Sequence, residues 1–85
     1  SEQGPAQIAI AEAATAVDEM KLVLRRNFGV LMGKIRAGQP LDDVPQRLHF
    51  RYQASQVVER SAQHIYKLFS ACGGRGIHSG AARRN

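Results

Sequence analysis

Cysteine is almost absent: Cys72 is the only one in 85 residues. No disulfide can therefore form within the chain, and the composition fits a reducing compartment. No apolar run approaches the ~20 residues of a membrane-spanning helix, and no signal-peptide pattern opens the chain. The expected location is cytoplasmic, with no membrane partner. Histidine is also scarce. His49, His64 and His78 do not lie three or four residues from one another, and no Glu-x-x-His places a carboxylate one turn away. A metal site built from one chain is accordingly not expected. His49 and His64 are expected at helix flanks, and His78 is open to anion binding or proton transfer. No initiator Met is present, which predicts a processed or excised segment.

Negative charge is in short supply: seven Asp and Glu stand against twelve Lys and Arg, for a net charge of +5. Such a balance permits nucleic acid or an anionic surface as partner but does not bear on fold. The basic residues are scattered along the chain rather than gathered in one stripe. That pattern reads as a solvated surface, or as one paired with acidic patches on partner segments.

What the chain has is helical periodicity, with no strand pattern and no internal repeat. From Pro5 to about Ala37, Ile10, Ala14, Val17, Lys21, Leu24, Phe28, Leu31 and Ile35 step by four and three. A second row, Ala13, Met20, Val23, Asn27 and Val30, widens the apolar face beyond a two-stranded seam and predicts contact with more than one helix. Gly29 and Gly33 inside this segment each cost roughly 1 kcal/mol relative to alanine, which predicts a close helix crossing. Gly38, Gln39 and Pro40 end the helix.

The stretch from Asp43 to Gly76 organises the rest. Asp43 can cap a helix, with Pro45 in its first turn and Gln46 completing an Asp-x-x-Gln capping box. Val44, Leu48, Ser55, Val58, Ala62, Ile65, Phe69 and Cys72 recur at helical steps, with Arg51 filling the one gap. This stripe is expected to face a partner. Gly73 and Gly74 supply the stop. So short a connection between the helices turns the second back antiparallel beside the first.

The expected fold is all-α: an antiparallel hairpin with helices at about 5–37 and 43–72 within residues 1–77, completing a four-helix bundle. Residues 78–85 are expected to form a mobile basic tail. A helix of about 30 residues is about 45 Å long. Two of them share one seam and enclose no core, so the chain is expected to need a partner. That partner is either copies of itself, as a dimer or tetramer, or the rest of a larger protein.

Cys72 sits at a helix C-terminus, where the dipole disfavours a thiolate, and reads as a small buried residue. Gly73-Gly74-Arg75-Gly76 is the one stretch with chemical interest. Its backbone N–H groups and guanidinium could approach a phosphate. It lacks the Lys-Ser/Thr of a P-loop, and a helix stop alone also accounts for it. Arg47, Arg51, Arg60 and Lys67, with Tyr52 and Tyr66 interleaved, would be the nucleic-acid candidates. Only Arg47 and Arg51 share a face, so nucleic acid is not the expected partner.

Several motifs together carry a family resemblance. They are the alanine-rich start with Asp18, Leu24-Arg25-Arg26, Ala37-Gly38-Gln39-Pro40, Arg47, Arg51-Tyr52, and Leu68-Phe69 before Cys72-Gly73-Gly74-Arg75-Gly76. From Ala11 to Ile77, about four-fifths of the chain, the order resembles the C-terminal helical domain of acyl-CoA-dehydrogenase-like two-component flavin monooxygenases. The hydroxyphenylacetate, hydroxylated-steroid and dibenzothiophene enzymes are of this type. The resemblance implies a three-part parent chain that forms tetramers through this bundle. It also implies reduced FMN or FAD delivered by a separate flavin reductase, and hydroxylation of an aromatic or heteroaromatic substrate. Gly73, Gly74, Arg75 and Gly76 would lie near that flavin. The domains that form most of such a pocket are not in this sequence, so the chain is expected neither to act nor to retain flavin alone, and no catalytic residue is assigned. An acyl-CoA dehydrogenase C-terminal domain and a non-enzymatic helical dimerisation module are the alternatives.

Overall fold

The computed structural model describes residues 4–74. Two helices hold nearly all of them: α1, Pro5–Arg36, and α2, Val44–Phe69, which runs on into a π-helical turn at Ser70–Gly74. No strand occurs among the described residues, and the fold is all-α. The helix limits fall within a few residues of those expected. The stretch read as a tail, residues 78–85, lies outside the described residues.

Local chemistry sets each end. Pro5 opens α1, where its missing N–H is not needed. At the other end Gly38 takes φ +71°, its N–H reaching Ile35 O at 3.0 Å while Gln39 N–H reaches Lys34 O at 2.8 Å. This paired closure needs a left-handed residue, which glycine supplies without strain. Asp43 Oδ1 accepts the Gln46 N–H at 3.0 Å, as the capping box requires. The reciprocal arm is absent, because Gln46 Oε1 instead accepts from Lys34 Nζ at 2.8 Å and ties the start of α2 to the end of α1. Asp43→Ala should lower stability by about 1 kcal/mol. Asp43→Asn should nearly restore it, with the two compared by thermal melts followed by circular dichroism.

The hairpin is antiparallel, and its seam is thin. Ala9, Ala13, Ala16 and Asn27 of α1 and Val57 and Ser61 of α2 are at most 7% exposed. Ser61 Oγ donates to the backbone O of Ala16 at 3.1 Å. A short hydroxyl can reach a neighbouring helix's carbonyl only where small residues let the backbones come close. Half-way along, Asn27 Nδ2 donates to Gln53 Oε1 at 3.2 Å. Arg26 donates to both, through Nε to Asn27 Oδ1 at 2.9 Å and Nη2 to Gln53 Oε1 at 3.0 Å.

This arrangement assigns the faces that the periodicity left open and corrects one expectation, the placing of His64. The apolar stripe of α2 faces away from α1, with Val44, Leu48, Val58, Ile65 and Phe69 exposed. Gln46, Phe50, Gln53, Val57, Ser61, His64 and Leu68 form the row that meets α1. Likewise, the second row of α1, with Ala13 and Asn27, enters the seam, while Ile10, Phe28 and Ile35 of the first row stay exposed. Small and hydrogen-bonding side chains fit an alanine-rich groove better than large apolar ones do. Gly29 and Gly33 mark no crossing among the described residues, since open space surrounds the position of a Cβ on either. His64 lies in the seam row rather than at a flank.

Candidate functional site

Helical spacing places both displaced apolar rows on one side of the hairpin. Leu24, Phe28 and Leu31 of α1 face Phe50 and Ala54 of α2 across an open groove of about 640 Å³. Phe28 is 66% exposed in it. Arg25 rises on one wall, and Arg47 and Arg51, one turn apart, rise on the other. Arg47 Nη1 donates a long bond to Leu41 O at 3.4 Å. Among the described residues, Arg25 and Arg51 have no polar partner. Towards the other end the same side carries Ile10, Ala14 and Val17 of α1 and Val58, Ile65 and Phe69 of α2, with Lys21 the charged residue that follows Val17 in its row.

The opposite side carries the charged pairs, with Leu22 exposed among them. Arg60 Nη1 lies 3.3 Å from Glu19 Oε1. His64 Nδ1 and Lys67 Nζ each lie 3.9 Å from Glu12 Oε1. His64 Nδ1 is buried and makes no hydrogen bond among the described residues. Half-exposed ion pairs of this kind add little stability and mainly keep the side wet. No group of three potential metal ligands exists among the described residues.

The glycine turn stands at the far end of α2. Gly73 takes φ +132°, a conformation side-chain-bearing residues rarely adopt, and nothing lies within 4 Å of where its Cβ would be. No described residue beyond its chain neighbours closes over that position. Gly74 closes the π-helical turn. Arg75 and Gly76, and the side chain of Cys72, lie outside the described residues. The structure therefore keeps the glycine turn apart from the arginine-flanked groove, which spacing alone did not reveal. Arg47 and Arg51 sharing a face was the one sequence signal for that groove.

No helix among the described residues is long and apolar enough to cross a membrane. The family model for the acyl-CoA dehydrogenase C-terminal domain matches residues 1–82. No curated protein and no solved structure matches the chain.

Proposed function

The chain belongs to the acyl-CoA dehydrogenase C-terminal domain family, and from that premise we propose that it is the C-terminal helical portion of a reduced-flavin-dependent monooxygenase. In that role it supplies oligomer contacts and one edge of the flavin site, while a separate reductase provides the reduced cofactor. The observation that carries this reading is the one-sided hairpin. It buries a seam of small residues and leaves a long apolar side facing water, as one layer of a larger bundle would. The alanine-rich half of that side, Ile10, Ala14 and Val17 with Val58, Ile65 and Phe69, is the self-association surface.

Enzymes of the acyl-CoA dehydrogenase family generally use FAD. The described residues fit one wall of a flavin site and not an enclosed pocket. The exposed backbone at Gly73 has the open space that a phosphate or ring edge needs, and no other part of the described chain closes over it. Gly73 and Gly74 would let the group lie close against the backbone, since no side chain stands there, with Arg75 and Gly76 continuing the same stretch. When bound, the flavin supplies the oxygen-activating chemistry. This chain's residues bind it and help to exclude water.

The family description also favours a second reading, an acyl-CoA dehydrogenase. An enzyme carrying this domain should consume oxygen and hydroxylate an aromatic substrate when given reduced flavin. Reduction of an electron acceptor by an acyl-CoA, without hydroxylation, would establish the dehydrogenase instead. A chain that dimerises inside a protein retaining no flavin would leave only the dimerisation module.

A further inference from the structure

We draw no further inference here: the strongest candidate, the side-chain cluster on the charged side of the hairpin where His64 Nδ1 lies buried 3.9 Å from Glu12 Oε1, carries nothing, because the His64 side chain is itself 25% exposed, no third metal ligand joins the pair among the described residues, and nothing in the structure shows what would occupy it.

Discussion

Leucine at Ala16 should destabilise the hairpin by about 1–3 kcal/mol, read as a lower urea midpoint with an unchanged slope. Ala16 is 4% exposed, and its carbonyl accepts the Ser61 hydroxyl at 3.1 Å. Extra methylenes at this point have nowhere to go but between the two backbones. They would wedge the helices apart, break that hydrogen bond and thin the contacts of Ala13 and Val57 beside it. Ala11→Leu, at an exposed position of the same helix, is the control and should change stability by less than about 0.5 kcal/mol. Equal effects at the two sites would refute the close-approach account of the seam.

Glutamate at Ile65 should weaken self-association of the chain by at least about tenfold, measured by sedimentation equilibrium. Ile65 lies between Val58 and Phe69 on the half of the apolar side away from the arginines, and these three are 38%, 49% and 58% exposed. Burying a carboxylate there without a partner outweighs the gain from the neighbouring apolar contacts. Gln63→Glu, on the side of the charged pairs, should leave the association unchanged. A native chain that remained a monodisperse monomer at micromolar concentration would sink both the assembly and the reading of the hairpin as one layer of a bundle.

The ends of the helices were legible because each depends on one or two residues acting locally. Pro5, Gly38 with Gln39, and Asp43 act where expected, whereas α2 ends at Phe69 and Gly73 and Gly74 lie within the π-helical turn that follows. The pairing face was not legible. Apolar periodicity ranks the sides of a helix by how much they gain from being covered, and on that ranking Val58 and Ile65 stand above Gln53 and Ser61. The hairpin is instead closed by size and hydrogen bonding, through Ala16 with Ser61 and Asn27 with Gln53. Those terms appear only once two helices are set side by side. The groove shows the same limit. Arg47 and Arg51 share a face by spacing, but adding Arg25 needs the alignment of α1 against α2. Half of the glycine-turn candidate, Arg75 and Gly76, lies outside the described residues.

The amide cluster of Asn27 and Gln53 has one more consequence. Two rods lined with methyl groups can slide lengthwise past each other at little penalty, since one alanine resembles the next. A slip of one turn, about 5.4 Å, would strand both amides in a dry place without their mates. The cluster therefore works as a detent, and it is the middle of the rods, not the hinge joining them, that holds their relative position. Lengthening that hinge, or even severing it, would leave the two pieces a single setting in which to rejoin.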